Sequence, residues 1–193
     1  MKTVFFDVDT QFDFLYPAGA LYVPGAERIV SAVARLNRFA AASGFPVVST
    51  SDAHAENDPE FQNWPPHCIA GTLGQHKPEA TLLEKRIVVP NVECEIDVFG
   101  AQQIIVEKQT LDIFQSRNIQ SVLERLNADR FVVYGVVTEV CVLFAVRGLL
   151  ATGKPVAVVT DAVETLNAAI SAKALEEIRL AGGSFTTTAE VCG

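Results

Sequence analysis

The sequence predicts an α/β protein of three layers, with a mostly parallel β-sheet covered by helices on both faces. Three observations predict it. Short runs rich in Val, Ile and Phe recur along the chain. Stretches with the apolar spacing of a helix separate them. No repeat, low-complexity tract or linker interrupts the alternation, so residues 1–193 are expected to form a single domain.

In chain order, Val4-Phe5-Phe6-Asp7-Val8 is a compact apolar run, as expected of a buried strand. From Ala26 to Ser43 the residues Ile29, Val33, Leu36 and Ala40 recur at helical spacing, and Gly44 follows as a stop signal. Pro46 to Thr50 is predicted to be the next strand. Ser51 to Glu79 has no regular period and holds four prolines with His54, His67 and His76, the only histidines in the chain. A loop this long inside a compact domain is usually functional. Ile104 to Val106 is predicted as a strand, followed by a helix near Ser116 to Leu126. Phe131 to Gly135 is a strand, followed by a helix from about Glu139 to Ala151. Val156 to Thr160 is a strand, followed by a helix near Ala168 to Leu180.

Composition narrows the function. The 15 Lys and Arg against 23 Asp and Glu give a net charge of −8, which argues against nucleic acid or an acidic membrane surface as partner. A hydrophobic fraction of 49% with 20% charged residues excludes a disordered chain, a collagen and a coiled coil. The four cysteines include no C-x-x-C pair. There is no signal-peptide pattern and no apolar run long enough to span a membrane. These features predict a reducing cytoplasm, where a retained cysteine is more often catalytic or metal-bound than bridged.

Sites in open parallel sheets lie outside the carboxyl ends of the strands. The polar groups expected there are Asp9, Asp52, Lys108, Thr138 with Cys141, and Asp161. Thr138 is a candidate N-cap, which puts Cys141 in a first helical turn, where the helix dipole lowers a thiol pKa and backbone N–H groups can hold an oxyanion. Cys141 is otherwise a small apolar filler. Asp9 is a candidate general base or a turn residue, with Asp7 and Asp13 as alternative carboxylates. Asp7 is expected to share a strand face with Asp9. Lys108 is a partly buried cation able to stabilise a thiolate, or a solvated lysine. Asp52 and His54 project to one side of an extended segment, and His67 completes an N/O set suited to a divalent ion, or these are loop histidines without a metal. His76 and Cys68 are weaker ligand candidates. Phe14 and Trp64 are candidates for an apolar platform under a flat ring.

These residues together resemble the isochorismatase-like cysteine hydrolases, with the nicotinamidases and pyrazinamidases as the nearest branch. The resemblance runs over nearly the whole chain. Asp9-Thr10-Gln11-Phe12-Asp13-Phe14 is similar to the family's D-x-Q-x-D-F, and Asp52-Ala53-His54 resembles its D-x-H metal pair. Ala18-Gly19-Ala20-Leu21 with Pro24-Gly25 resembles the turn between them. Trp64-Pro65-Pro66-His67-Cys68 with Gly71-Thr72 and Gly74 is similar to W-P-x-H-C-x-x-G-T-x-G. Lys108 stands in the family's lysine position, and Gly135 to Val142 resembles G-x-x-T-x-x-C-V.

The resemblance implies a catalytic triad of Asp9, Lys108 and Cys141. It implies an oxyanion hole of the Val137 and Cys141 N–H groups, with a cis peptide between Val136 and Val137. It implies one divalent metal ion on Asp52, His54 and His67, zinc first with iron or manganese as alternatives. The metal would take a ring nitrogen and set the ring between Phe14 and Trp64. It further implies a small amide substrate and a homo-oligomer. The chain departs from the pattern at Gln109 to Phe114, where many nicotinamidases are Ser-rich, and at Val137 and Val140. The loop between His54 and Trp64 is short, leaving Glu56 and Asp58 as candidates for a fourth metal-shell residue.

The reaction expected is hydrolysis of a small carboxamide, nicotinamide to nicotinate and ammonia first, through a Cys141 thioester. The alternatives are a relative acting on another amide, carbamoyl or ureido compound, a haloacid-dehalogenase-like phosphatase built on Asp7-Val8-Asp9, and a metal-bound binding protein without turnover.

Overall fold

The computed structural model of the protein describes residues 1–193. Seven strands run parallel: β1 (Thr3–Val8), β2 (Val47–Asp52), β3 (Arg86–Val89), β4 (Gln103–Lys108), β5 (Arg130–Gly135), β6 (Val156–Val163) and β7 (Ser184–Thr186). Their order in the sheet is β3-β4-β2-β1-β5-β6-β7. From β1 the chain passes to β2 and then to the edge strand β3, comes back to place β4 between β2 and β3, and then crosses to the other side of β1 and works outward from β5 to β7. The strand order therefore reverses between β1 and β5, which is where such sheets open a crevice at their carboxyl ends.

Six helices complete the fold: α1 (Phe12–Leu15), α2 (Val30–Ala42), α3 (Ile119–Leu126), α4 (Leu143–Ala151), α5 (Ala168–Leu180) and α6 (Thr188–Cys192). All six residues of β1 are buried, because both faces of the sheet are covered. Val4, Phe6 and Val8 pack with the apolar stripes of α3, α4 and α5 on one side. Phe5, Val47 and Tyr134 pack with Val33, Leu36 and Ala40 of α2 on the other. No helix is long and apolar enough to cross a membrane.

The structure adds two edge strands. β7 is only three residues long with none buried and carries no apolar run, whereas β3 holds the run Ile87-Val88-Val89, a local strand signal missing from the expected elements, with only Val89 buried. The helix expected from Ala26 begins as a 3₁₀ turn, Ala26–Ile29, before α2. The helix expected near Ser116 starts at Ile119, behind a 3₁₀ turn capped by Asp112, whose carboxylate accepts the Phe114 N–H. β2 runs two residues past Thr50, which puts Asp52 on the sheet itself.

One glycine fixes how the central strands meet. Gly135, at the end of β5, has φ +121°, and a Cβ there would lie 2.0 Å from Val8 O. Only glycine allows β5 to approach β1 this closely before the chain turns toward Cys141.

Candidate active site

The carboxyl ends of β1, β2, β4 and β5 bring Asp9, Asp52, Lys108 and Cys141 to one place. Asp9 lies one residue past β1 with φ +48°, a left-handed conformation that ends the strand. Thr50 on β2 holds it there: the Thr50 hydroxyl donates to Asp9 Oδ1 at 2.5 Å and receives the Asp9 N–H at 3.1 Å. Asp9 Oδ2 is 3.0 Å from Lys108 Nζ, and no donor meets it in hydrogen-bond geometry. Lys108, 1% exposed, also pairs with Asp52 Oδ1 and lies 4.0 Å from Cys141 Sγ.

Burial and charge compete at each group. Burial works to lower the Lys108 pKa, but the Asp52 and Asp9 carboxylates outweigh it and hold the ammonium well above its usual range. Burial raises Asp9, with Lys108 opposing and the Asp52 charge adding. Burial also raises the Cys141 thiol well above its usual value, with Lys108 opposing and Asp9 adding.

This corrects the expectation of a thiolate activated by a helix dipole. Cys141 is 7% exposed, and residues Thr138–Val142 form a π-helical turn ahead of α4 instead of a first α turn. Thr138 is not its cap. The Thr138 N–H and Oγ1 both donate to Glu164 O, at 2.9 and 2.8 Å. Burial therefore opposes a thiolate at Cys141, and Lys108 favours one. The peptide bond between Val136 and Val137 is cis, as the resemblance implied.

Asp52, His54 and His67 are buried, and their ligand atoms lie within 4.8 Å of one another. Asp52 Oδ2 is 3.9 Å from His54 Nε2 and 3.8 Å from His67 Nε2. The His67 Nδ1–H donates to Pro65 O at 2.7 Å, which leaves the Nε2 lone pair facing the cluster. His54 is fully buried with neither ring nitrogen in a hydrogen bond. Such an imidazole is costly unless another partner is bound. Two imidazoles and a carboxylate are a donor set for zinc, iron or manganese, so the residues present fit a divalent ion.

The further carboxylate that faces both imidazole Nε2 atoms is that of Glu60, and not that of Glu56 or Asp58. Glu60 Oε1 is 3.9 Å from His54 Nε2 and 4.0 Å from His67 Nε2. Glu56 is exposed. Asp58 sits behind the cluster: its Oδ2 is 3.1 Å from His54 Nδ1, and its Oδ1 caps the 3₁₀ turn Pro59–Gln62 by accepting the Glu60 N–H at 2.9 Å. The sequence signal for Glu60 was the pair Asp58-Pro59, a cap followed by the proline that favours a helix start. Asp58→Ala is expected to weaken divalent-ion affinity about 10- to 100-fold in a chelator competition. Unchanged affinity would remove Asp58 from the support of the cluster.

Other motif residues brace this arrangement. The Gln11 amide clamps the backbone of Asp52 on both sides, donating to its carbonyl and accepting its N–H, each at 2.8 Å. Asp13 accepts the Cys68 N–H at 2.7 Å and the Ala20 N–H at 2.9 Å. A Cβ on Gly74 would lie 2.1 Å from the Asp13 carboxylate, so the loop after His67 can dock only with glycine there.

Several candidates do not join. Asp7 is turned toward Ser49, Thr10 and Lys77, 3.3 Å from the Lys77 ammonium, because the left-handed turn at Asp9 breaks the strand alternation. The two carboxylates of a D-x-D phosphatase site are therefore not together. Asp161 accepts the Thr188 N–H and hydroxyl at 2.7 and 3.0 Å and so anchors the start of α6. His76 is exposed, and the Cys68 thiol turns toward Gly74 O at 3.7 Å.

A narrow pocket opens onto Cys141, with Asp52, Glu60 and His67 on one side. Its other walls are apolar. Phe14 and Trp64 contribute as the sequence suggested, Leu111, Val137 and Val140 are among the positions where the chain departs from the family pattern, and Leu21, Val23 and Leu166 were not singled out for the pocket.

The isochorismatase domain family model matches residues 3–99 and 93–190, so the chain belongs to the isochorismatase family and is a hydrolase of that class. It is similar to the nicotinamidase of Escherichia coli (strain K12), 26% identical over 204 residues, covering 95% of this chain and 93% of the relative. Among solved structures, the pyrazinamidase of Pyrococcus horikoshii in complex with zinc superposes with a TM-score of 0.80 at 26% identity, covering 97% of this chain and 99% of that one. The N-carbamoylsarcosine amidase of Thermoplasma acidophilum shares the fold with a TM-score of 0.80 at 23% identity over 100% of both chains.

Proposed function

We propose that the protein hydrolyses the carboxamide of a small uncharged aromatic ring, with nicotinamide to nicotinate and ammonia as the first expected reaction. One observation carries the reading. A buried thiol on the wall of an apolar pocket lies against a buried ammonium that is paired with the Asp9 and Asp52 carboxylates, beside a metal-ligand set.

Asp9 takes the proton of Cys141, and Lys108 offsets the charge left on sulfur. The thiolate adds to the amide carbon. The resulting oxyanion is received by the Val137 and Cys141 N–H groups, and the Val137 N–H makes no backbone hydrogen bond that would compete. The protonated Asp9 then gives its proton to the departing nitrogen, so ammonia leaves and a thioester remains. Asp9 next removes a proton from water. The hydroxide adds to the thioester carbon, and the acid departs as Cys141 recovers its proton. Asp52, His54 and His67, with Glu60, would hold a divalent ion, zinc first, that supplies a Lewis-acid anchor for a ring nitrogen. Phe14 and Trp64 orient the ring. We take residues 1–193 as one catalytic domain. All four cysteines are free thiols, which fits a reducing cytoplasm.

The pocket favours a neutral ring over an anionic carbamoyl or ureido substrate. None of its lining residues is Lys or Arg, and Lys108 beneath it is already shared by two carboxylates. A substrate carboxylate would meet no side-chain cation on the pocket wall and would face the Asp52 and Glu60 carboxylates in competing for the divalent ion. Comparison of kcat/KM for nicotinamide and an N-carbamoyl amino acid tests this. Nicotinamide is expected to be preferred by about 100-fold or more, the cost of one unpaired buried polar group. Preference for the carbamoyl acid would overturn the substrate reading and leave the thiol chemistry in place.

A further inference from the structure

Glu139 lies in the turn that carries Cys141, yet its carboxylate points to a different segment. Its Oε1 accepts the N–H groups of Leu166 and Asn167 at 3.0 and 2.8 Å. Its Oε2 accepts the Thr165 hydroxyl at 2.6 Å. Three successive residues are thus tied to one carboxylate, and the middle one, Leu166, is a wall of the pocket although it is 41% exposed. The same segment is held once more from the turn, by the two Thr138 bonds to Glu164 O. The flanking residues have further anchors, since Asn167 caps α5 through its side chain and Glu164 pairs with Arg28, but the Leu166 N–H itself is held by Glu139, and an exposed leucine gains little from packing.

We infer, resting on the reading of Cys141 as the nucleophile, that Glu139 is a positioning residue that holds Leu166 across the pocket mouth and so sets the size of ring admitted. The turn that presents the sulfur and the wall that limits access to it form one hydrogen-bonded unit. Glu139→Ala releases residues 165–167 and opens the mouth. Glu139→Gln keeps an oxygen for the two backbone N–H groups and an amide for the Thr165 hydroxyl, so it is expected to rescue the wall. Leu166→Ala removes the wall directly.

The test has two readouts. The first needs no substrate: the rates at which N-phenylmaleimide and iodoacetamide alkylate Cys141, followed by peptide mass spectrometry. The ratio of bulky to small reagent is expected to rise about tenfold in Glu139→Ala and in Leu166→Ala, to stay near wild type in Glu139→Gln, and to rise no further in the double variant, because both changes open one wall. The second is amide hydrolysis, where Glu139→Ala is expected to raise KM about tenfold with kcat little changed. A wild-type ratio in Glu139→Ala, or effects of Glu139→Ala and Leu166→Ala that multiply, would overturn the inference. So would a fall in kcat at constant KM, which would assign Glu139 to the Cys141 turn alone. A wild-type protein that cleaves no amide would refute the proposed reaction, while the alkylation ratio would still decide the role of Glu139.

Discussion

Replacing Cys141 with Ala is expected to lower kcat for amide hydrolysis by at least about 10⁴-fold, with little loss of stability. No other thiol can substitute. Cys68 is turned away toward Gly74 O, and its buried thiol is pushed far above its usual range. The substitution removes one sulfur from a partly apolar surround, a loss of about 1 kcal/mol. Ammonia release and calorimetric melting, measured on the same preparation, separate the two effects. A variant that melts near wild type yet turns over at more than about a hundredth of its rate would exclude the thioester route.

The second large effect is at Lys108. Its ammonium is the only cation between Asp9 and Asp52, and all three groups are buried. Lys108→Met keeps the length of the stem and removes the charge. Two carboxylates are then left facing each other without compensation, a loss of about 3–5 kcal/mol at neutral pH. The sign of the pH dependence follows. Burial and the Asp52 charge already raise Asp9 above the usual carboxylate range, and Lys108 is what opposes them. Without Lys108 the folded-state pKa rises further above the unfolded value. The folded variant then binds more protons than the unfolded chain, and its stability falls as pH rises through that raised pKa. The melting deficit of Lys108→Met relative to wild type is therefore expected to be largest near pH 8 and to shrink toward pH 5. A deficit that grows on acidification would mean that Lys108 does not neutralise these carboxylates. Activity is expected to be lost below the raised pKa, where Asp9 rests protonated and cannot serve as base, and to stay low above it, where no ammonium offsets the charge left on Cys141.

Much of the scaffold is legible in the sequence because its signals are local. β1, β4 and β5 are Val- and Ile-rich runs, and α5 follows its predicted bounds from Ala168 to Leu180. The residues that end central strands, Asp9, Asp52 and Lys108, can be read as a group once the sheet is predicted to be parallel, because such strands share one carboxyl edge. What stays hidden depends on long-range contacts. The edge strand β7 is too short and exposed to show an apolar pattern, while β3 does carry a local signal in Ile87-Val88-Val89 that the expected elements omit. Asp161 looks like a site residue by position, yet it anchors α6. The surround of Cys141 depends on residues far away in the chain: the turn Thr138–Val142 is π-helical, and Thr138 bonds to Glu164 instead of capping it. Glu60 and Glu139 act through loops with no period, and only folding brings one to His54 and His67 and the other to Leu166.

The most direct measurement is ammonia release from nicotinamide by metal-replete protein, before and after alkylation of Cys141 is verified by peptide mass spectrometry. Release by the untreated protein that disappears in proportion to Cys141 labelling is the predicted result. Release that persists in fully labelled protein would contradict a thiol nucleophile at Cys141.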